Sequence, residues 1–314
     1  MGLKILATGR ALPSRLVTND DLAQVMETSD EWIASRTGIR QRYFCGEGEG
    51  NTALAVSACR RAIARAGIDP AEIGLCLAAT FTPDHASPSL ACEVHGALGL
   101  PESTPAFDIN AACTGFLAAL ETARCLLAGG NLRGKYALVF GSEVISRVLD
   151  PADRSTAVLF GDGTGAAVVA LSKQHPFVSL LGARGDAEIL RAGGSGQADR
   201  YVRMEGKAVF RFATQIVPAC IDQLLERAGC GLDEVDWVVC HQANGRIIDH
   251  VVRKLGAPEE KFYKNIHRYA NTSAASIPIA LDEMCENGLI HAGQRVLCVG
   301  FGAGLTWGGA LLTF

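Results

Sequence analysis

The chain has 314 residues, enough for one large domain or two of ordinary size. Hydrophobic residues make up 48% and charged residues only 20%, which marks a globular protein with much buried surface and excludes a disordered one. A net charge of −4, with no basic stripe along the chain, argues against a general nucleic-acid binder.

The opening run from Met1 to Gly9 is too short for a secretory apolar core and soon meets Arg10 and Pro13. Leu6 stands where a myristoylation signal needs Ser or Thr, and no run approaches the roughly 18 apolar residues of a membrane span. A cytoplasmic protein without membrane attachment is expected. The 11 cysteines form no Cys-x-x-Cys pair, so neither a zinc site nor a thioredoxin-like motif is suggested. Their odd number suits reduced thiols, most of them small core residues.

Thr28 and Glu31 fit a capping box that starts a helix and sets Trp32 and Arg36 one turn apart on one face. Leu75–Ala79, Tyr136–Phe140, Ala166–Ala170, Trp237–Cys240 and Arg295–Val299 read as buried strands. They alternate with helical runs, the pattern of an α/β protein whose strands are covered on both faces.

Ala106–Ile109 reads as a strand leading to Ala112-Cys113-Thr114-Gly115, which opens a helix apolar on nearly every face. Gly129-Gly130 ends it. A thiol in the first turn would feel the positive end of the helix dipole, which favours thiolate; a core cysteine beside a tight turn fits this segment equally well. Gly161–Gly165 leads into a strand instead of a helix and reads as a turn and packing motif. The polar, glycine-rich stretch Arg191–Arg200 reads as a surface loop.

His241 follows the strand Trp237–Cys240, at the carboxyl edge where ligand-binding groups of open α/β sheets gather. By itself it is better read as a structural histidine. In Arg246–Leu255, Ile248, Val251, Val252 and Leu255 form an apolar face, while Arg246, His250, Arg253 and Lys254 cluster on another. Such a face is either solvated or docks an acidic partner. Asn271 precedes the small-residue turn Thr272–Ser276 that starts another helix, a place that also suits a turn asparagine. Gly300–Gly304 follows a strand and can present backbone N–H groups to a developing oxyanion.

A weak internal repeat runs through these elements. Arg65-Ala66-Gly67, Glu72-Ile73 and a strand return as Arg227-Ala228-Gly229, Glu234-Val235 and a strand. Gly134–Gly141 echoes Gly293–Gly300 at nearly the same spacing, which suggests a duplicated half. The expected halves are residues 1–171 and 172–314, the first carrying Cys113 and the second His241 and Asn271.

Together the segments resemble the β-ketoacyl-acyl-carrier-protein synthase III family. The likeness covers the whole chain. It rests on Thr28–Ile33, Arg36–Arg40, Phe107-Asp108, Cys113 and its turn, Asp153-Arg154, Phe160–Gly163, His241–Asn244, Asn271–Ser276 and Thr306–Gly308. It implies an α/β, thiolase-like αβαβα five-layer fold built from two related halves. It also implies a Cys113, His241 and Asn271 triad that condenses an acyl-CoA primer with malonyl-acyl carrier protein, with the N–H groups of Cys113 and Ala303 as oxyanion donors. By the same resemblance Thr28, Trp32, Arg36, Arg154, Gly206 and Asn244 bind CoA. Gln242, Ala243, Asn244, Gly245 and Arg246, with Arg211, Arg253 and Lys254, would meet the acidic carrier protein.

Ser87 stands where many short-chain members carry a bulky aromatic that closes the acyl pocket across the dimer, so a deeper pocket is expected. A homodimer without a cofactor is implied, acyl-CoA being a substrate. The order Cys, His about 130 residues on, then Asn also suits a papain-like protease, but the Cys-Gly-Ser-Cys-Trp context is absent. A thiolase-fold relative making a secondary metabolite, or a carrier-binding scaffold with an inert triad, are the other readings.

Overall fold

The computed structural model describes residues 1–194 and 196–314. Ser195, within the expected Arg191–Arg200 loop, lies outside the described residues. The chain runs β1 (Gly2–Ala11), β2 (Arg15–Thr18), α1 (Asn19–Ala23), α2 (Asp30–Thr37), β3 (Gln41–Phe44), α3 (Asn51–Ala66) and β4 (Ile73–Ala79). Next come α4 (Leu90–Leu98), β5 (Ala106–Ile109), α5 (Gly115–Ala128), β6 (Tyr136–Glu143), α6 (Arg154–Ala157) and β7 (Gly163–Ser172). Then follow β8 (Phe177–Asp186), β9 (Leu190–Ala192), β10 (Val202–Met204), α7 (Gly206–Ala228) and β11 (Trp237–Cys240). The chain closes with α8 (Gly245–Leu255), α9 (Ile266–Tyr269), α10 (Ser276–Glu286), β12 (Arg295–Gly302) and β13 (Gly304–Thr313).

Two sheets form, of order β1-β7-β6-β4-β5 and β11-β12-β13-β8. In the first, β4 is parallel to β6, β6 antiparallel to β7, and β7 antiparallel to β1. In the second, β11 is parallel to β12, β12 antiparallel to β13, and β13 antiparallel to β8. The pairing is the same in both. Where β5 flanks β4, the second sheet has an isolated parallel bridge between Val238 and Phe262. The repeated Arg-Ala-Gly segments close α3 and α7 alike: Gly67 and Gly229 take left-handed φ values of 62° and 64°, and a short 3₁₀ turn then leads into β4 and β11.

Every residue of β4 is buried, because the strand is covered on both faces. Between the sheets lie α5 and α10. Phe116, Leu117 and Leu120 of α5, with Ile277, Leu281 and Met284 of α10, pack on Leu75, Val139 and Val169 from one side and Val239, Val296 and Leu312 from the other. Fully burying each such Leu or Phe is worth roughly 1.5–3 kcal/mol, so helices this rich in apolar side chains are stable in that layer. Helices α3 and α4 cover the far face of the first sheet, and α7 and α8 that of the second. The result is five layers, αβαβα, as expected.

Two local expectations need correction. Ser29, not Thr28, caps α2: its extended backbone (φ −152°, ψ 161°) brings Oγ within 3.1 Å of the Trp32 N–H, so the Thr28–Glu31 capping box does not form. Arg191 and Ala192 are not loop residues, because they pair with Arg203 and Val202 in the β9–β10 ribbon.

Candidate active site

Cys113 sits on a single 3₁₀ turn, Ala112–Thr114, between β5 and α5. The turn is possible because Ala112 adopts φ 47° and because Gly302 lets β12 approach. A Cβ on Gly302 would stand 2.8 Å from the Cys113 backbone nitrogen. Thr114 anchors the turn to β13, its Oγ1 donating to Ala111 O (2.7 Å) and lying 3.0 Å from Thr306 Oγ1.

His241 stands at the carboxyl end of β11, its N–H donating to Val299 O at 2.8 Å. Its Nδ1 is 3.1 Å from Ser276 Oγ, which also accepts the Gln242 N–H, and Phe301 packs edge-on against the imidazole. Asn271 is clamped by the 159–161 segment: its N–H donates to Leu159 O and its carbonyl accepts from Gly161 N. The side-chain Oδ1 accepts the Ser273 N–H at 2.9 Å, which leaves the NH₂ group for the cavity.

Two cavities meet at the thiol. One of about 80 Å³ is lined by Cys113, His241 and Asn271, together with Gly206, Ala243 and Asn244. The other, about 480 Å³ and mostly apolar, is lined by Cys113, Ser273, Ala303, Phe81, Val202 and Ala192. Phe160 and Leu190 wall both. A group delivered through the first can therefore be transferred to sulfur and its chain housed in the second.

Burial pushes the Cys113 thiol up to about 12, against a smaller pull from the Ser273 hydroxyl. Burial alone pushes His241 down to about 3. Burial thus opposes the pull toward thiolate that a helix start exerts. Desolvation disfavours each charged form, so thiol and imidazole both stand neutral at pH 7.

Two guanidinium groups lie over the ring of Trp32 in α2, Arg36 at 4.6 Å and Arg154 at 4.4 Å from its centroid. Thr28 Oγ1 is buried without a hydrogen-bond partner. Asn244 caps α8 through the Arg246 N–H (2.9 Å) and ties it to α2 by donating to Arg36 O (3.2 Å). Arg211 of α7 and Arg246, Arg253 and Lys254 of α8 are exposed, and none of the four forms an ion pair among the described residues. Lys207, in the first turn of α7, extends this basic surface and was not singled out from the sequence.

Two of the expected carrier contacts lie inside the protein. Gln242 is 1% exposed. Its amide donates to Cys240 O and Tyr263 O and accepts from the N–H groups of Asn265 and Ile266. Gly245 is buried against Thr37. These two shape the 242–246 segment, and its outward contacts fall to Arg246 and the partly exposed Ala243 and Asn244. Ser87 is exposed and does not line the cavities of its own chain.

A family model described as 3-oxoacyl-[acyl-carrier-protein (ACP)] synthase III matches residues 107–185, and one described as its C terminal matches residues 225–314. A β-ketoacyl-[acyl-carrier-protein] synthase III from Clostridium perfringens is 42% identical, over 98% of this chain and 98% of its own length. The chain belongs to this family. A crystal structure of the 3-oxoacyl-[acyl-carrier-protein] synthase III of Aquifex aeolicus superposes with a TM-score of 0.94 at 42% identity, covering 100% of both chains. The priming β-ketosynthase of the R1128 polyketide pathway gives 0.91 at 37% identity, covering 99% of this chain and 96% of its own. The thiolase fold and the acyl-transferring, condensing character of the synthase III family are thereby this chain's own.

Sequence reasoning missed the walls of the two cavities. Phe81, Phe160, Leu190 and Met204 come from loops and short strands whose pattern carries no periodicity. Ser273 and Ser276 lay in plain view inside the Asn271–Ser276 motif, yet only coordinates reveal that one faces the thiol and the other the imidazole.

Proposed function

We propose that the chain catalyses decarboxylative condensation of an acyl-CoA primer with malonyl-acyl carrier protein through an acyl-Cys113 intermediate, the priming step of fatty-acid synthesis. The observation that carries this reading is the meeting of Cys113, His241 and Asn271 on one narrow cavity. In the first half-reaction Sγ bonds to the primer's carbonyl carbon while His241 Nε2 takes the thiol proton. The carbon–sulfur bond to CoA breaks, and the proton passes to the departing thiolate. Sulfur-to-sulfur exchange is nearly isoenergetic, so one hard reaction becomes two easier ones. The N–H groups of Cys113 and Ala303 hold the oxyanion.

In the second half-reaction the malonyl carboxylate leaves as CO₂ and its electron pair forms an enolate. His241 Nε2–H and the Asn271 amide donate to the enolate oxygen. The enolate carbon attacks the acyl group, the bond to Sγ breaks, and a solvent proton restores the thiol. Nε2 thus needs a lone pair first and a proton later. The Ser276 hydroxyl beside Nδ1 can donate or accept, so it serves either tautomer.

Trp32, flanked by Arg36 and Arg154, is the adenine platform in this reading, with the orphaned Thr28 hydroxyl as a further contact and Gly206 and Asn244 along the pantetheine path. Arg211, Arg246, Arg253 and Lys254 receive the acidic carrier protein at the mouth, beside Ala243 and Asn244. The 480 Å³ cavity, with Ser87 small where it would close the pocket across a dimer, supports primers longer than acetyl. The matching strand pairings support two related halves, 1–171 and 172–314. Phe107, 37% exposed on the edge strand β5, supports pairing with a second copy. No helix among the described residues is long and apolar enough to cross a membrane, in keeping with a cytoplasmic enzyme.

Intact-mass spectrometry after incubation with C2 to C10 acyl-CoAs tests the reading. The expected result is an acyl adduct that is absent in Cys113→Ala and is discharged by malonyl-acyl carrier protein. No adduct with any acyl-CoA would overturn it.

A further inference from the structure

Glu143 ends β6 with its carboxyl completely buried, behind the catalytic turn and facing no cation. One oxygen, Oε2, accepts three hydrogen bonds: Thr80 Oγ1 at 3.2 Å, Phe81 N at 3.2 Å and Thr82 Oγ1 at 2.5 Å. The other, Oε1, has no partner, and neither has the buried Ser273 hydroxyl. The two orphans are neighbours. The 273–275 turn packs against both β6 and the cysteine turn, which sets Ser273 between the elements that carry the carboxyl and the thiol.

With Oε2 saturated by donors, the proton of a neutral carboxyl belongs on Oε1, directed at Ser273. We propose that Glu143 is a positioning residue: as a neutral acid it donates through the Ser273 hydroxyl toward Cys113 Sγ, stabilising the thiolate that develops during acyl transfer. The same carboxyl holds the 80–82 segment, whose Phe81 walls the acyl cavity, so one group couples cavity wall and nucleophile.

Ionisation would undo this. Burial pushes Glu143 up to about 8, so its proton is present at pH 7 and is lost as pH rises past that value. The donor then disappears and a negative charge faces the sulfur. The other ionisable groups of the packed elements are engaged elsewhere. Asp84, after β4, pairs with Arg147, after β6. Asp162, before β7, accepts from Cys45 N and Ser146. The 273–275 turn contributes no charge, and His241 is neutral above about 3.

The inference rests on Cys113 being the acylated residue. Its test is the rate of acyl transfer from acyl-CoA to Cys113, read by rapid-quench intact mass between pH 6.5 and 9.5. The wild-type rate should fall about tenfold through a break near the Glu143 value, whereas Glu143→Gln, neutral throughout and still a donor, should stay within about twofold. An identical break in both proteins, or none in the wild type, overturns the inference. Should Glu143→Gln not fold, Ser273→Gly keeps the left-handed backbone (φ 49°) and cuts the relay. It should lower the pH 7 rate about fivefold, and an unchanged rate overturns the inference. Complete absence of adduct on the wild type would instead sink the parent assignment of Cys113.

Discussion

His241→Gln isolates the cost of holding an uncharged imidazole in the catalytic cavity. Burial takes this group from an ordinary 6.5 to about 3. Between those values the unfolded chain binds a proton that the folded chain refuses, so stability is complete above about pH 6.5 and declines as pH falls. At about 1.4 kcal/mol per unit, the loss is about 2 kcal/mol between pH 7.5 and 5 and about 5 kcal/mol by pH 3. Glu143 works in the opposite direction. Its raised value, about 8, means that the folded state gains stability as pH falls from there toward the ordinary carboxylate range, so the wild-type curve alone hides the histidine. The difference between wild type and His241→Gln removes that background. Reversible urea unfolding of both proteins at pH 7.5 and pH 5 should show the difference shifting by about 2 kcal/mol in favour of the variant at the lower pH. A constant difference, or a shift of opposite sign, refutes the neutral buried imidazole, as does an acyl-transfer rate that falls with a midpoint near 6.5.

Trp32→Ala should raise the KM for acyl-CoA about tenfold while kcat changes little, because the lost stacking is uniform binding. Arg246→Glu combined with Arg253→Glu should raise the KM for the malonyl carrier substrate and spare loading from acyl-CoA; equal loss of both steps refutes the docking face. Gly302→Ala sets a methyl 2.8 Å from the Cys113 backbone nitrogen and should lower kcat about a hundredfold while CoA still quenches Trp32 fluorescence. Ser87→Phe should narrow the primer range toward acetyl, read as kcat/KM across C2 to C10 acyl-CoAs; an unchanged range means that another side chain closes the cavity.

The fold was legible where burial is extreme. Strand β4 has no polar face and helix α5 is apolar apart from Glu121, Thr122 and Arg124, and that pattern predicts a layer covered on both sides. Cys113, His241 and Asn271 were each ambiguous alone, and their assignment came from the combined motifs. Two kinds of information were missing. The first is direction: Gln242 and Arg246 lie four residues apart in one motif, yet one turns into the core to satisfy four backbone groups and the other faces solvent. The second is desolvation. A helix start beside Cys113 argues for thiolate, whereas the packed walls push the thiol up, which the sequence does not show.

The non-glycine residues with left-handed φ among the described residues are Ala112 (47°), Ala270 (57°) and Ser273 (49°), and each lies within two residues of Cys113 or Asn271. Such conformations cost roughly 1–3 kcal/mol apiece and persist only where surrounding packing over-determines them. Here that packing is the central layer, because both turns lead directly into its helices, Ala112–Thr114 into α5 and Ser273–Ala275 into α10. The turns also press on the sheets through glycines. A Cβ on Gly302 would strike the cysteine turn, and one on Gly141 of β6 would stand 2.1 Å from Ala274 O. With the two halves related as proposed, Asn110 and Asn271 hold equivalent places before equivalent turns. One turn then carries Cys113, and the other carries the Asn271 amide and Ser273. The same packing that makes the core stable thus holds two strained turns against each other, and the thiol, imidazole and carboxamide meet between them.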